Sequence, residues 1–413
     1  MTDYLGMKYL RNKLHSKEER INLRYQYYEM KNVMHDFNII TPPYFRNFYS
    51  SLGWCAKAVD SLSDRLVFDK FDNDSYGMNE IYDMNNKDIL LDSAINGALI
   101  GACSFIYIAP QSDDHMPKLQ AIEAFNATGI IDPTTQMLKE GYAILERDSK
   151  NRNNILLEAY FLPFKTYYYP KGKPSYVVNH SSPYPLLVPI IYRPDAKRVF
   201  GHSRITRACM DYTQTAMRTI KRSEVASEFY SFPQKYILGL DPEAEPLDKW
   251  KASMSSFLQF TKDEDGDSPT VGQFSQQSMQ PFLDQLKSTA SMFAGETGLT
   301  LDDLGFVSSN PSSAEAIKAS HDQLRLTARK AQRCFSVGFL NAGYLASCVR
   351  DEYPYKRSLV HETKAMWMPL FEPDMNALSL IGDGAIKINQ AIPNYFDKKA
   401  LKQLTGIEPS EED

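Results

Sequence analysis

Residues 200–240 read FGHSRITRACMDYTQTAMRTIKRSEVASEFYSFPQKYILGL. A Gly-x-Ser turn opens the stretch, and a helical pattern follows for several turns. Ile205, Cys209, Tyr212, Ala216, Thr219, Ser223 and Ala226 recur at alternating spacings of four and three, forming a seam of mostly small residues. Arg204, Arg207, Arg218 and Arg222 fall on another face. Pro233 ends the pattern, because it donates no ladder bond and pushes the preceding residue out of the α region. Small residues let neighbouring helices approach closely, as identical subunits around a narrow axis must. Taken alone, the stretch reads better as one more amphipathic helix of an α/β enzyme.

The helices further along narrow the choice. Pro281 suits a first helical position, and Phe282, Leu283, Leu286, Ala290 and Phe293 form the apolar stripe of a second helix that Gly298 stops. Ser312 and Glu315 have capping-box spacing, with Pro311 before the cap. The third helix carries Ala314, Ile317, His321, Leu324, Ala328, Ala331 and Phe335 at heptad spacing, with Lys318, Arg325, Arg329 and Arg333 on a different face. Asp322 shares that face and neutralises part of it. Between the second and third helices, Gly305 to Ser313 is uncharged and Ser-rich, a loop set between two rigid elements.

The order is Gly-His-Ser, long helix, Phe-Pro-Gln-Lys-Tyr-Ile-Leu-Gly, insert, helix, Thr-Gly-Leu-Thr, Ser-Ser-Ala-Glu-Ala-Ile-Lys, long Arg-rich helix. It resembles the portal proteins of tailed double-stranded-DNA bacteriophages, of the siphophage type. An early helix with Tyr25, Tyr27 and Tyr28, the stretch TPPYFRNFYSSLGWCAKAVDSLSDRL, the step SAINGALIGACSFIYIAP and the region after Trp367 are similar to the same family. The resemblance implies an α+β portal fold with a mixed α/β wing, a two-helix stem, a small β-containing clip, a long kinked helix and a short helical crown. Its divisions fall at 1–203 (wing), 204–232 (first stem helix), 233–277 (clip) and 278–304 (second stem helix and turn). They continue at 305–313 (tunnel loop), 314–352 (long wing helix), 353–373 (wing strand) and 374–413 (crown and disordered tail).

What the family would do with these residues follows from the same resemblance. It implies a homo-oligomeric ring, typically of twelve subunits, at one capsid vertex, assembled in the host cytoplasm. Double-stranded DNA passes through the channel, and the clip docks the terminase large subunit and later the head–tail adaptor. Major capsid and scaffolding proteins surround the ring. Gly305, Phe306, Val307, Ser308, Ser309 and Asn310 would face DNA. Arg204, Arg207, Ala216, Arg218, Arg222, Lys318, Arg325, Ala328, Arg329 and Arg333 are the subunit-interface candidates. Asp263, Glu264, Asp265 and Asp267 are the clip's docking candidates. The basic stripes are read as pairing with acids of a neighbouring subunit in preference to phosphates.

Composition agrees with a folded conduit. The 413 residues suffice for two or three domains, 43% are hydrophobic and 25 are Tyr. A net charge of −5 argues against a protein that grips nucleic acid over its whole surface. Affinity for phosphates rises with each neutralised charge, so a channel through which DNA slides should not be strongly basic. The five cysteines show no Cys-x-x-Cys pair and read as buried free thiols. Residues 1–20 have no apolar run and do not read as a signal peptide. The apolar stretch from Ile89 to Ala109 is interrupted by Asp92 and Asn96, and its end, Ser104 to Ile108, reads as strand, so no membrane span is expected.

Strands are expected at Ser104–Ala109, Gly129–Ile131, Tyr142–Arg147, Ile155–Phe161, Thr166–Tyr169, Gln234–Leu240 and Glu362–Met368. Helices are expected from Lys87 to Leu99, Asp374 to Ala391 and Tyr395 to Thr405. Catalytic motifs are absent from this reading. There is no P-loop, so the chain is not the packaging ATPase. Gly201-His202-Ser203 lacks the second Gly of a nucleophile elbow, and its serine reads as a helix cap. No His pair has ligand spacing and the acidic tip lacks the closing Glu of a calcium loop, so no metal or other cofactor is expected. Two alternatives stand beside the portal reading: a metal-dependent nuclease or nucleotidyltransferase with scattered carboxylates, and a cytoplasmic helical scaffold.

Overall fold

The computed structural model describes residues 4–35, 49–110, 116–151, 153–231, 235–238, 270–273, 278–306, 320–370 and 375–407. In chain order the helices are α1 (Met7–Tyr28), α2 (Trp54–Ser63), α3 (Met78–Asp83), α4 (Lys87–Gly101), α5 (Arg207–Ser231), α6 (Gln280–Thr297), α7 (Asp322–Arg350), α8 (Met375–Ala391) and α9 (Lys398–Thr405). The strands are β1 (Phe68–Asp72), β2 (Cys103–Ala109), β3 (Lys118–Glu123), β4 (Ala127–Ile131), β5 (Leu138–Arg147) and β6 (Ile155–Leu162). They continue with β7 (Lys165–Pro170), β8 (Tyr176–Asn179), β9 (Leu187–Ile191), β10 (Lys235–Leu238), β11 (Thr270–Gln273) and β12 (Lys364–Trp367). The chain forms two compact units, one of Met1–Val33, Ser51–Thr213 and Ala290–Asp413, the other of Met34–Ser50 and Gln214–Thr289.

The larger unit is a mixed α/β body. Strands β4 to β8 form a five-stranded antiparallel meander in sequence order, with Tyr142 opposite Tyr160 and Tyr160 opposite Tyr167. Leu10 and Leu14 of α1, one helical turn apart, bury against Tyr142, Ile144, Tyr160 and Leu162 of this sheet. Gly6 gives α1 no side-chain cap. The buried Glu140 of β5 takes that place, accepting from the backbone N–H of Leu5 (2.9 Å) and Gly6 (3.1 Å) and from the Tyr160 hydroxyl (2.7 Å). A carboxylate at a helix N-terminus meets both the orphan donors and the positive dipole end.

A second sheet has the order β3-β2-β9, all antiparallel. Strand β2 is central and buried on both faces, which is why it reads as an apolar run rather than an alternation. Pro189 opposes Phe105 on the edge strand β9, where its missing donor costs no ladder bond. Helix α4 packs on β2 and β3, and α7 packs on β9. A Cβ on Gly338 of α7 would fall 2.6 Å from Ile190 Cδ1 and 3.3 Å from the Pro189 carbonyl oxygen, so glycine lets α7 and β9 approach closely. Further along α7, Phe335 and Phe339 join Phe68, Phe71, Tyr82 and Trp367 in an aromatic cluster. Trp367 also donates from Nε1 to Ser336 Oγ at 2.9 Å. Strands β1 and β12 pair antiparallel, Phe68 opposite Trp367, and so join distant parts of the chain.

In the smaller unit β10 and β11 pair antiparallel, Lys235 opposite Gln273. The rest of the 233–277 segment lies outside the described residues.

The sequence reading finds the α4-to-β2 step, β4 to β7, β10, β12, α8 and α9. It misses β1, α3, β3, β8, β9 and β11. It also places the first long helix one turn too early. That helix starts at Arg207, and its cap is Thr206, whose Oγ1 accepts from Cys209 N at 3.2 Å. Ser203 instead accepts from Ile205 N and donates to the Ile100 carbonyl. On α6, Ala290 and Phe293 are buried as expected while Leu283 is 56% exposed, so the expected stripe is covered only in its second half. The stripe of α8 is likewise half covered, with Ala385 buried and Ile388 exposed. All five cysteines are free, and Cys55, Cys103, Cys209 and Cys348 are buried.

Candidate functional site

The loop expected at Gly305–Ser313 begins on a closely specified base. Helix α6 stops at Gly298 (φ 70°), where a Cβ would lie 2.8 Å from Gln323 Cγ of α7. Thr300 and Asp303 then cap one another. The Thr300 N–H and hydroxyl donate to Asp303 Oδ2, both at 2.9 Å, and Asp303 N donates to Thr300 Oγ1 at 3.1 Å. The 3-10 turn Asp302–Leu304 ends on Gly305 (φ 89°), and Phe306 N returns to the Leu301 carbonyl at 3.0 Å. On the far side of the connection, His321 Nδ1 stands 3.8 Å from Asp303 Oδ2, both side chains mostly buried. The two ends of the segment thereby lie close together. Val307, Ser308, Ser309 and Asn310 lie outside the described residues.

The arginines of the first seam do not behave as one face. Arg204 precedes the helix and is 6% exposed. Its Nε donates to the Ala58 carbonyl at 3.2 Å, and its guanidinium also reaches the Thr297 carbonyl. It is an internal strut, which corrects its reading as a subunit contact. Arg218 is half-buried, donating to Thr215 Oγ1 at 3.0 Å and to the His35 carbonyl at 3.4 Å. Arg207 and Arg222 are exposed. Ala216 is 0% exposed within the single chain, and so are Leu324, Ala328, Ala331 and Phe335 of the heptad stripe. These positions are core, not a surface awaiting a neighbour. Periodicity correctly marks them as buried, but it does not say against what.

The polar side of α7 keeps its charge at the surface. Arg325 is tied to Asp322 through Nε at 2.9 Å, so that pair is locally neutral, while Arg329 and Arg333 are exposed. Beside them Lys330, Arg333, Val337, Pro189 and Ile191 line an open groove of about 440 Å³. Lys318, Asp263, Glu264, Asp265 and Asp267 lie outside the described residues.

Gly201-His202-Ser203 is a structural corner. His202 N donates to the Tyr192 carbonyl at 2.9 Å, and its ring meets Asp195 Oδ2 at 2.5 Å. That contact, with the backbone N–H groups of Arg198 and Lys197, holds the Asp195 carboxyl down at about 2. Among the described residues no three His, Cys, Asp or Glu side chains converge as metal ligands, and no helix is long and apolar enough to cross a membrane. The sequence reading overlooks one charged feature, a row of cations on α1 (Lys13, Lys17, Arg20 and Arg24), whose spacing is visible in the sequence.

Comparison with known proteins supplies the remaining observation. A family model described as "Phage portal protein, SPP1 Gp6-like" matches residues 8–346. The chain is 25% identical over 332 residues to a protein named "Portal protein" from Mycobacterium phage D29, a match covering 75% of this chain and 67% of the relative. It is 25% identical over 320 residues to one of the same name from Mycobacterium phage L5, covering 72% and 65%. A chain from "Virion of native gene transfer agent (GTA) particle" superposes with a TM-score of 0.46 at 13% identity, covering 86% of this chain and 90% of that one. Another, from "Neck of native GTA particle computed with C12 symmetry", gives 0.44 at 12% identity with the same coverage.

Proposed function

This chain belongs to the SPP1 Gp6-like family of phage portal proteins, and we propose that copies of it close into a ring of twelve at one capsid vertex. The bore of that ring passes double-stranded DNA during packaging and ejection. Residues 233–277 form the clip, which docks the terminase large subunit during packaging and the head–tail adaptor afterwards. Major capsid and scaffolding proteins meet the outer surface. The protein's work is positional, not catalytic.

The observation that carries this reading is the family match over residues 8–346. The segment read as the channel loop leaves a turn whose Asp303 faces His321 across the connection, 3.8 Å away. The turn before it is capped by Thr300 and Asp303 on one side and stopped by Gly305 on the other. Gly305-Phe306-Val307-Ser308-Ser309-Asn310 carries no charge. Its amide and hydroxyl groups make weak, exchangeable contacts, while several Lys or Arg would hold the phosphates in a salt-dependent way.

The mass of the purified protein tests the ring. A species near twelve times the 47.1 kDa of one chain is expected, and a monomer at high concentration would overturn the reading. Replacing Ser308 and Ser309 with Lys is expected to leave rings intact and to slow or stall packaging. Unchanged packaging, with the new lysines reactive in the bore, would refute the sliding-loop part alone.

A further inference from the structure

Helix α1 carries Lys13, Lys17, Arg20 and Arg24 at spacings of four, three and four, which gathers them into one narrow stripe beside the Leu10–Leu14–Ile21 seam. The stripe runs about 16 Å at 1.5 Å per residue. The corner after β9 adds the exposed Arg198. Phe200 lies against the first part of the row, its ring centroid 5.1 Å from Lys13 Nζ and 4.6 Å from Lys17 Nζ. Phe105 packs on that ring at 6.2 Å and holds it in place. Lys13 Nζ also donates to the Gly129 carbonyl at 2.8 Å, leaving two of its N–H groups free of that bond.

What is missing is the counter-charge. None of the four α1 cations forms an ion pair among the described residues. Three acids close to the row are already engaged. Glu140 accepts from Leu5, Gly6 and Tyr160; Asp195 is bonded to His202, and Glu18 to His15 at 2.8 Å. Cys103 sits beneath the row, but burial pushes its thiol up to about 11, so it stays neutral. The cations repel one another and are partly shielded from water. Burial and Lys17 bring Lys13 down to about 8, and burial with Arg20 and Arg198 brings Arg24 down to about 10. Five cations gathered in a chain of net charge −5 represent a standing electrostatic cost that an anion would relieve.

We propose that Lys13, Lys17, Arg20, Arg24 and Arg198 form a binding track for the phosphate backbone of duplex DNA, separate from the channel loop. The linear form of the row favours phosphates over the carboxylates of a second copy. One strand of a duplex presents several phosphates over the length of that row. No described helix carries more than three acids, and they fall singly or in close pairs, such as Glu80 and Asp83 of α3, Asp88 and Asp92 of α4 or Glu224 and Glu228 of α5. A track of this kind holds DNA in place where the uncharged loop lets it slide, so the two surfaces have opposite tasks.

The test is the salt dependence of binding of a short labelled duplex to the full-length protein, read by fluorescence anisotropy. The slope of log K against log salt is close to −0.9 per neutralised phosphate. The double substitution Arg20→Gln and Arg198→Gln changes two exposed side chains and leaves the core alone. It is expected to make the slope shallower by about two units and to weaken binding at low salt. Lys17→Arg, which keeps the charge, is expected to bind as the parent does. An unchanged slope and affinity in the double variant would overturn the proposal. So would a variant that binds DNA normally but no longer assembles, since the row would then serve a neighbouring copy. The mass of the unsubstituted protein reads the ring separately, so failure here leaves that question distinct.

Discussion

Asp303 Oδ2 lies 3.8 Å from His321 Nδ1, and through this contact the turn after α6 meets the first residues of α7. The same carboxylate oxygen accepts from both the N–H and the hydroxyl of Thr300. One side chain therefore caps a turn and faces the far end of the connection. Asp303→Ala removes both roles and is expected to cost about 0.5–2 kcal/mol, the range for a lost cap. Thermal unfolding measures it. A double-mutant cycle of Asp303→Asn with His321→Gln isolates the contact across the base, and strict additivity would show that the two residues do not interact.

Ala328 is 0% exposed within the chain. Ala328→Glu places a bulky, unpaired charge in a packed core, which couples overpacking with desolvation. The expected outcome is loss of folded protein, with a melting temperature several degrees lower in any soluble fraction. A well-folded variant that fails only to form rings would restore Ala328 to a subunit interface.

Arg204 holds the Ala58 and Thr297 carbonyls from inside the larger unit. Arg204→Ala leaves those acceptors without their donor and opens a cavity. About 1–3 kcal/mol is expected for each stranded group, read by denaturant unfolding. Arg204→Lys recovers only part of the loss, because a single ammonium lacks the guanidinium's fork.

His180 carries the pH dependence. Neither of its ring nitrogens has a hydrogen-bond partner among the described residues, and burial lowers its pKa to about 4 from the usual 6.5. The folded chain therefore keeps the ring neutral at pH values where the unfolded chain protonates it. Its contribution to stability is complete above about 6.5, falls as pH drops toward 4, and is lost below that. His180→Gln, which does not titrate in this window, is expected to flatten the stability profile between those values. An equally steep profile in the variant would place the titration elsewhere.

Legibility in the sequence followed the range of the interactions involved. Helix α4 and strand β2 carry their own patterns, so the step from Gly101 to Cys103 could be read locally. Strand β9, with Pro189 in it, is a strand only because β2 lies beside it. Strand β1, FDKFD, is one only because β12 returns from far down the chain. The seams of α5 and α7 announced burial correctly, yet Ala216 and Ala328 turned out to be covered by the chain itself. Arg204 looked like a helix-surface arginine because its neighbours are helical, and only Thr206 as the true cap puts it outside. The α1 row had a plain signal at i, i+4, i+7 and i+11, overlooked because nearby acidic residues make that helix look evenly charged.

The pairing of Phe68 with Trp367 sets a schedule for biosynthesis. A ribosome must make everything between the two strands before β1 meets its partner, so the aromatic cluster around Phe339 closes only after Trp367 has emerged. Contacts this distant in sequence are slow to form. A truncated product would leave β1 as a bare strand edge next to unfilled aromatic positions, a surface prone to stick rather than to dock. A chain ended before Trp367 therefore lacks the partner of β1 and is marked as defective before it can join an assembly.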